Sequence, residues 1–217
     1  MVTPAVSSRN TESPAFATDA ATAAYYERRA GEYDEWYTGE GRFAARERPG
    51  WGEEIRSLLS VVSRLPPART LDVACGTAFL SRHLRGFTVG VDQSASMVGI
   101  ARSRLAGGVA VVGDALHLAV ASRSFDRVFT GHFYGHLPPA ERDRFLSEAR
   151  RVASELVVVD SALRPGVAAE EHQERVLNDG SHHTVYKRYL SPEELAAEIG
   201  GEPILAGTWF VVAHSRW

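Results

Sequence analysis

The feature that most constrains the fold is a regular alternation of short apolar runs and helical patterns between residues 69 and 159. Five runs have the length and composition of buried strands, at 69–74, 87–92, 109–112, 125–130 and 155–159. Amphipathic helix patterns lie between several of them. One is 139–152, where Phe145, Ala149 and Val152 share an apolar face. Strands that alternate with helices predict βαβ units and a mostly parallel sheet with helices on both faces.

The flanking segments are less regular. Residues 1–20 are rich in Ser, Thr, Ala and Pro and predict a flexible tail, whereas 21–65 predict N-terminal cap helices, the first over 22–37. A helix is also expected to open at 79–84. Near the other end, 184–190 and 207–214 predict strands around a helix that begins with a capping box at Ser191. We expect these two strands to form a hairpin-like pair at a sheet edge, and residues 21–217 to form one domain.

Charge and cysteine content exclude several classes of protein. Lys and Arg number 24 against 27 Asp and Glu, a net charge of −3, which argues against a nucleic-acid partner. The single cysteine, Cys75, excludes an internal disulfide and a Cys-rich zinc site, and no bound metal is expected. No apolar run approaches the roughly 18 residues of a membrane span, and the N-terminus lacks a secretory pattern. We therefore expect a cytoplasmic protein with no membrane partner, either a monomer or a homodimer.

Carboxylates follow three successive predicted strands. In open α/β sheets, ligands bind outside the carboxyl ends of the strands, where Asp72, Asp92 and Asp114 would lie. Phosphates are bound by backbone N–H groups and basic side chains, whereas carboxylates suit ribose hydroxyls, an exocyclic amine or a cationic ligand. The segment 74–79 has one glycine where a dinucleotide-binding turn has three, so a nucleotide-dependent dehydrogenase is a poor alternative.

Four segments together resemble the class I S-adenosylmethionine (SAM)-dependent methyltransferase family, over roughly residues 25–217. They are LDVACGTAFLSRHL (71–84), VGVDQSASMVGIAR (89–102), VVGDALHLAVASRSFDRV (111–128) and YKRYLSPEELAAEI (186–199). The resemblance implies an α/β fold with a Rossmann-like, seven-stranded, mostly parallel sheet, an antiparallel C-terminal strand and an N-terminal lid helix. It also implies SAM as cofactor, S-adenosylhomocysteine (SAH) as product, and a small-molecule acceptor that takes the methyl group on oxygen, nitrogen or a carboxylate.

Carried over residue by residue, the resemblance implies a cofactor site. Asp92 would accept hydrogen bonds from both ribose hydroxyls, Asp114 would accept one from the adenine amine, and Asp72 would lie along the methionine part. The lid helix would bring Tyr25, Arg29 and Tyr33 towards the cofactor's carboxylate. The full implied set is Tyr25, Arg29, Tyr33, Asp72, Ala74, Cys75, Gly76, Asp92, Gln93, Met97, Asp114, Ala115 and Thr130.

One departure from the family pattern lies in the first turn. The family usually has glycine at the positions of Ala74 and Ala78. If either position requires a positive φ, an alanine there is strained by about 1–3 kcal/mol. This departure keeps open a protein of the same fold that binds SAM without transferring a methyl group.

His132 and His136, four residues apart after the fourth strand, are the candidate catalytic residues. In one interpretation, one of the two histidines acts as a general base or contacts the substrate. In a second, both histidines only shape the loop. In a third, they form a metal pair, but the sequence has no further ligands at suitable spacing. A base is needed only for a protonated acceptor. The polar segment 172–190 is left open between a surface loop and substrate recognition. A macromolecule methyltransferase is a further alternative, although 130–133 lacks the motif used for exocyclic amines.

Overall fold

The computed structural model describes residues 19–217, so the predicted tail over 1–20 falls almost wholly outside the described residues. The strands are β1 Ala68–Val73, β2 Gly86–Asp92, β3 Val109–Val112, β4 Arg127–Gly131, β5 Glu155–Ser161, β6 Glu170–Val176, β7 His182–Arg188, β8 Glu202–Ala206 and β9 Phe210–Arg216. The helices are α1 Ala20–Arg29, α2 Glu35–Thr38, α3 Trp51–Arg64, α4 Ala95–Arg104, α5 Pro139–Val152 and α6 Pro192–Ile199.

Seven of the strands form one sheet in the order β3-β2-β1-β4-β5-β9-β8. The first five pair in parallel, and β9 runs antiparallel to both β5 and β8. This confirms the seven-stranded, mostly parallel sheet with an antiparallel C-terminal strand. Strand order reverses between β1 and β4, and the crevice above that switch point is where open α/β sheets bind ligands.

Successive side chains of β5 point to opposite faces of the sheet, and a hydrophobic core lies on each face. Leu156 and Val158 pack in the cluster that contains the apolar face of α5 and α6, whereas Val157 and Val159 pack with α3. All four side chains are fully buried. Helices therefore cover both faces, as the near-continuous apolar run of β5 predicts for a parallel strand.

The C-terminal pairing differs from the prediction. The strand expected at 184–190 is β7, and it pairs with β6 in a separate two-stranded ribbon, while the pair at the sheet edge is β8 and β9. The predicted hairpin between 184–190 and 207–214 is therefore wrong. The sequence of β6, EEHQERV, carries one apolar residue, so apolar periodicity could not predict this strand.

Two helix predictions also need correction. The helix expected at 79–84 is only a short 3-10 turn, Ser81–His83, because Leu84 is already extended and β2 begins at Gly86. The helix expected over 22–37 is split into α1, a 3-10 turn at Ala30–Glu32, and α2. Asp34, in the break, accepts a hydrogen bond from the Thr77 hydroxyl at 2.6 Å and pairs with Arg104 at 2.6 Å. These contacts hold the broken segment against the turn that follows β1.

Candidate active site

A cavity of about 330 Å³ opens at the carboxyl ends of β1 to β4, and we call it the strand-end cavity. It is lined by Tyr26, Tyr33, Ala74, Gly76, Val91, Asp92, Gln93, Met97, Val112, Gly113, Asp114, Ala115, Gly131, His132 and Phe133. Its volume is in the range of small-ligand sites. Eight of the predicted cofactor residues line it: Tyr33, Ala74, Gly76, Asp92, Gln93, Met97, Asp114 and Ala115.

Asp92, the last residue of β2, is buried and braces the turn after β1. Its Oδ2 accepts the Gly76 N–H at 2.8 Å, and its Oδ1 accepts the Ser94 N–H at 2.9 Å. Burial raises the pKa of this carboxyl, against the lowering effect of those N–H groups. Each carboxylate oxygen has a second acceptor site, so Asp92 has the chemistry to receive a pair of vicinal hydroxyls from a ligand in the cavity.

Three amide groups of the turn after β1 donate hydrogen bonds within the protein. The Gly76 N–H donates to Asp92, the Cys75 N–H donates to the Val91 carbonyl at 3.0 Å, and the Ala78 N–H donates to the Cys75 carbonyl at 2.9 Å. A pyrophosphate site needs such amides free to point at the ligand. These three amides are therefore not available to a dinucleotide phosphate, which agrees with the single glycine of the turn.

The two alanines that depart from the family pattern have strained backbone conformations. Ala74 has φ +57° and Ala78 has φ +59°, so both alanines occupy the left-handed region that favours glycine. Gly76 between them also has positive φ, at +53°.

Asp114 follows β3 at the far side of the strand-end cavity. Its Oδ1 accepts the Leu116 N–H at 2.7 Å, and its Oδ2 lies 3.0 Å from Nδ1 of His117. Met97, which is almost fully buried at the start of α4, lines the same region. This part of the cavity therefore combines a carboxylate with apolar walls.

The remaining predicted cofactor residues lie elsewhere. Asp72 and Cys75 border a small void behind the turn, and burial together with the charge of Asp92 raises the pKa of Asp72 to about 8. Thr130 is fully buried, and its hydroxyl donates to the Val73 carbonyl at 2.7 Å, so the next residue, Gly131, faces the cavity instead.

Tyr25 and Arg29 form a buried pair on α1. Arg29 Nη1 donates to the Tyr25 hydroxyl at 2.8 Å, and its guanidinium lies 4.8 Å from the centre of the Tyr33 ring. Arg29 lines a second cavity, not the strand-end cavity.

This second cavity, of about 380 Å³, shares Tyr26, Tyr33 and His132 with the strand-end cavity. We call it the arginine-lined cavity. Its other lining residues are Arg29, Trp36, Arg46, Glu47, Arg48, Trp51, His136, Ser161, Arg164, Gln173, Arg175, Lys187, Tyr189 and Trp209. The three shared residues make the two cavities adjacent compartments of one site.

His132 lies at the junction of the two cavities, in a left-handed backbone conformation with φ +57°. Its Nδ1 is 3.5 Å from the Ser161 hydroxyl and 4.0 Å from Oδ1 of Asp160, and its buried Nε2 has no hydrogen-bond partner within residues 19–217. Burial lowers the pKa of His132 to about 3, and the charges of Lys187, Arg29 and Arg175 also act to lower it. The imidazole is therefore neutral at pH 7.

His136 is held more rigidly. Its Nδ1 lies 2.6 Å from the Tyr186 carbonyl oxygen, which assigns the proton to Nδ1. Burial holds its pKa well below the usual range, and the nearby Lys187 ammonium lowers it further. The ring lines the arginine-lined cavity but does not reach the strand-end cavity. The structure thus brings only one of the two candidate catalytic histidines to the junction.

Below His132 lies a buried ion pair. Lys187 Nζ is 2.5 Å from Oδ1 of Asp160, whose Oδ2 also accepts the Gly135 N–H at 2.7 Å. Burial would raise the pKa of Asp160, but the Lys187 ammonium holds it below its usual value, so the pair is ionised. The ion pair lies close to both histidines, and its charges act on the pKa of each.

Sequence reasoning missed most of the arginine-lined cavity. Along β6 the side chains of Glu171, Gln173 and Arg175 are partly buried, while those of Glu170, His172 and Glu174 are exposed. Lys187 lies opposite Glu171 in the ribbon register. Both faces of β6 are polar in sequence, so no periodicity signalled that one of them lines a cavity.

Comparison with known proteins agrees with this geometry. Residues 71–155 match the family model described as a methyltransferase domain. A demethylmenaquinone methyltransferase of Thermotoga maritima is 35% identical over 107 residues, which cover 47% of this chain and 44% of that protein. The match thus spans less than half the length of the curated relative.

Solved structures give the fold over a longer span. A DhpI–SAM–HEP complex has a TM-score of 0.71 at 23% identity, with 91% of this chain and 96% of that chain covered. The CcbJ methyltransferase from Streptomyces caelestis has a TM-score of 0.58 at 20% identity, with 88% and 97% covered. The chain therefore has the fold of class I SAM-dependent methyltransferases, as the resemblance implied. Within that fold, residues 71–155 are the part that matches the methyltransferase-domain model.

Residues 19–217 contain neither a membrane-spanning helix nor a cluster of metal ligands. No helix in that range is both long enough and apolar enough to span a bilayer. No group of three or more His, Cys, Asp or Glu side chains there is arranged to hold a metal ion.

Proposed function

We propose that the chain transfers a methyl group from SAM to a small-molecule acceptor by in-line displacement. The observation that carries the proposal is the pair of adjacent cavities that share Tyr26, Tyr33 and His132. The strand-end cavity has the volume and the carboxylate acceptors to bind the methyl donor. The arginine-lined cavity has room for the methyl acceptor. The shared wall is where a methyl group would pass between them.

The strand-end cavity suits an adenosyl ligand. Asp92 presents free acceptor capacity towards ribose hydroxyls, and Asp114 stands where an exocyclic amine would be received. The apolar side chains of Val91 and Met97 offer surfaces for a purine ring. The internally bonded amides of the turn disfavour a phosphate in the same place. These features support SAM over a dinucleotide.

The protein's chief task would be alignment. Bound SAM supplies a methyl group that is already activated on a positively charged sulfur. Well-oriented reactants reach effective molarities of about 10⁵–10⁸ M, so a wall that holds the acceptor in line provides most of the rate enhancement. Tyr33 and His132, both on the shared wall, are placed to orient the acceptor and to exclude water.

Proton removal has a limited role here. His132 is the only candidate catalytic histidine that borders both cavities, and burial keeps its pKa at about 3. An imidazole with so low a pKa is neutral, but it is a weak base. We propose His132 as an acceptor-orienting residue and His136 as a support for the loop that carries it.

Calorimetric titration tests the cofactor part of the proposal. SAM and SAH should both bind to the chain, and Asp92→Asn should weaken both by about 10- to 100-fold because it removes a charge-assisted hydrogen bond. Asn keeps one oxygen acceptor for the turn, whereas Asp92→Ala would also unfasten Gly76. The matched control is Asp143→Asn, an exposed aspartate on α5. Equal affinities in wild type and Asp92→Asn would overturn the assigned site.

Methyl transfer itself is a separate readout. Incubation of the protein with labelled SAM and candidate acceptors should release SAH in step with a methylated product. Tight SAM binding without turnover on any acceptor class would favour the alternative of a SAM-binding protein of the same fold. Tight, salt-sensitive binding of a DNA or RNA duplex would favour a macromolecule methyltransferase.

A further inference from the structure

The arginine-lined cavity has an uneven charge balance. Its walls carry the basic side chains Arg29, Arg46, Arg48, Arg164, Arg175 and Lys187, and the single acidic side chain Glu47. The whole sequence has a net charge of −3, so this concentration of positive charge is a local feature of the cavity. Basic groups gathered in one concave site focus a positive potential on whatever occupies it.

The arginines of this cavity lack protein counter-ions. Within residues 19–217, no carboxylate oxygen lies within 4.0 Å of a nitrogen of Arg29, Arg46, Arg48, Arg164 or Arg175, whereas Lys187 is paired with Asp160. Several of the arginines instead rest on aromatic rings: Arg48 on Trp51 at 3.8 Å and Arg164 on Trp209 at 4.4 Å. Stacking on rings fixes the position of a guanidinium and leaves its N–H groups free for a ligand.

Arg175 is the most informative of the set. Its Nε is buried and has no hydrogen-bond partner in the described part of the chain. Burial and the nearby charge of Arg29 both lower its pKa. A buried arginine and a partly buried one that repel each other, the second with a buried, unpartnered N–H, are costly in the ligand-free protein. An anion that accepts from both would remove the repulsion and satisfy the orphaned donor.

We propose that the methyl acceptor is an oxyanion, a carboxylate or a phosphorus oxyacid, bound in the arginine-lined cavity by Arg175, Arg164 and Arg29. This inference rests on the proposed function and names its substrate class. The planar guanidinium fork matches both anion types through paired N–H donors. Even if Arg29 serves the carboxylate of SAM, Arg175 and Arg164 remain for the acceptor.

The reaction balances without a base. One oxygen of the anion forms the new O–CH₃ bond, the S–CH₃ bond breaks, and its electron pair stays on sulfur. The acceptor loses one negative charge and the sulfonium loses its positive charge, so an ester and a neutral thioether result and no proton moves. This agrees with a junction residue, His132, that is neutral and weakly basic.

Aromatic side chains complete the cavity. Trp36, Trp51 and Trp209 line it together with Tyr189. They offer apolar contact to the body of an acceptor while the arginines hold its charged end. An acceptor with one charged end and an apolar or aromatic body would therefore match the cavity better than a small inorganic anion.

The test uses four probes with the same ring and different charge: benzoate, phenylphosphonate, benzyl alcohol and benzylamine. Each is titrated calorimetrically into the full chain saturated with SAH, and again into the ligand-free chain. We expect at least one of the two anions to bind at least 10-fold more tightly than benzyl alcohol, and benzylamine to bind weakest. The ratio of benzoate to phenylphosphonate affinity then distinguishes a carboxylate acceptor from a phosphorus oxyacid acceptor.

Variants locate the binding. Arg175→Gln should weaken binding of the preferred anion by about 10- to 100-fold, the range for a lost charge-assisted hydrogen bond. Arg164→Gln should weaken it as well, and it serves as the second variant if Arg175→Gln unfolds. Arg144→Gln, on the exposed face of α5, is the control and should change nothing. Thermal unfolding of each variant separates loss of binding from loss of fold.

The outcomes separate this inference from the proposed function. Normal SAH binding with anions bound no better than benzyl alcohol would overturn the oxyanion acceptor and leave methyl transfer standing. Unchanged anion affinity in both Arg175→Gln and Arg164→Gln would also overturn it. Failure of SAH to bind would instead contradict the proposed function, while the titrations of the ligand-free chain would still report on the anion site.

Discussion

At the scale of single residues, three of the four non-glycine residues with positive φ in residues 19–217 lie in the turn after β1 or at the junction of the two cavities. Ala74, Ala78 and His132 all have positive φ, and Ala74 and His132 line the strand-end cavity. Residues in this region cost of order 1–3 kcal/mol each and persist where the surroundings hold them. The sequence identified the two alanines as a departure, because a small residue replaces glycine at a turn. It gave no comparable sign for His132, whose N–H donates to the Val159 carbonyl at 2.8 Å and whose Nδ1 lies 4.0 Å from Asp160 Oδ1.

Relief of strain at Ala74 gives one prediction. Ala74→Gly should raise the free energy of unfolding by about 0.5–1 kcal/mol, because glycine adopts φ +57° without a steric penalty. Ala197→Gly, at an exposed position inside α6, is the matched control and should lower it by about 0.5–1 kcal/mol. Urea unfolding of the three proteins measures both changes. A destabilised Ala74→Gly would show that the methyl group of Ala74 contributes more packing than its backbone costs.

The buried carboxyl of Asp72 gives a pH-dependent prediction. Burial raises its pKa from 3.8 to about 8, so the folded state retains a proton that the unfolded chain releases. The stability that this group contributes is complete below pH 3.8 and is lost as pH rises to about 8. Asp72→Asn should therefore gain stability relative to wild type between pH 5 and pH 8, by at most about 1.4 kcal/mol per pH unit.

Chemical denaturation at pH 5 and pH 8 measures the difference, with Asp143→Asn as a control whose offset from wild type stays constant. Comparison of Asp72→Asn with wild type isolates the contribution of Asp72 to stability, because the buried His132 and His136 are present in both proteins. These histidines change stability with pH in the opposite sense. Their lowered pKa values remove stability as pH falls below 6.5. A pH-independent offset for Asp72→Asn would mean that this carboxyl ionises normally in the folded protein.

At the scale of elements, α1 is fastened to the helix that follows β2. Glu27 accepts a hydrogen bond from the Ser94 hydroxyl at 2.6 Å and one from the Ser96 hydroxyl at 2.5 Å. Ser94 is also the N-cap of α4, since its hydroxyl accepts the Met97 N–H at 3.1 Å. The carboxylate thus sits at the positive end of α4 and ties α1 to it.

Removal of this fastening should loosen α1. Glu27→Gln should weaken SAM binding several-fold and speed amide hydrogen exchange in residues 20–38, because Tyr26 and Tyr33 reach the cavity from this segment. Glu53→Gln, an exposed change on α3, is the control for the loss of one acidic charge. Exchange and affinity that match wild type in Glu27→Gln would show that α1 is held by its aromatic packing alone.

At the scale of the whole molecule, hydrophobic patterning determined what could be predicted. The five parallel strands, α5 and the capping box of α6 all follow from apolar periodicity or cap chemistry, and they place the carboxylates at one edge of the sheet. The β6–β7 ribbon did not follow, because its inward face is lined with Gln173 and Arg175 and serves a cavity in place of a core. The site was thus predictable where it is built on the sheet, and not where a polar ribbon closes it.

The same division holds for charge. A sequence with net charge −3 gives no sign of a positive cavity, because the clustering of arginines from α1, β6 and two loops exists only in the folded chain. The acidic strand ends and the basic closing wall give the two compartments opposite character. This arrangement suits the cationic donor and the anionic acceptor that we propose.

The most direct measurement is a crystal structure of the chain grown with SAH. The predicted result has SAH in the strand-end cavity, both ribose hydroxyls within hydrogen-bond distance (about 3 Å) of the Asp92 carboxylate, the adenine beside Asp114, and the sulfur facing the wall that contains His132. SAH bound at another place would contradict the assigned site. A crystal grown at a saturating concentration of SAH with no ligand beside Asp92 would contradict it as well.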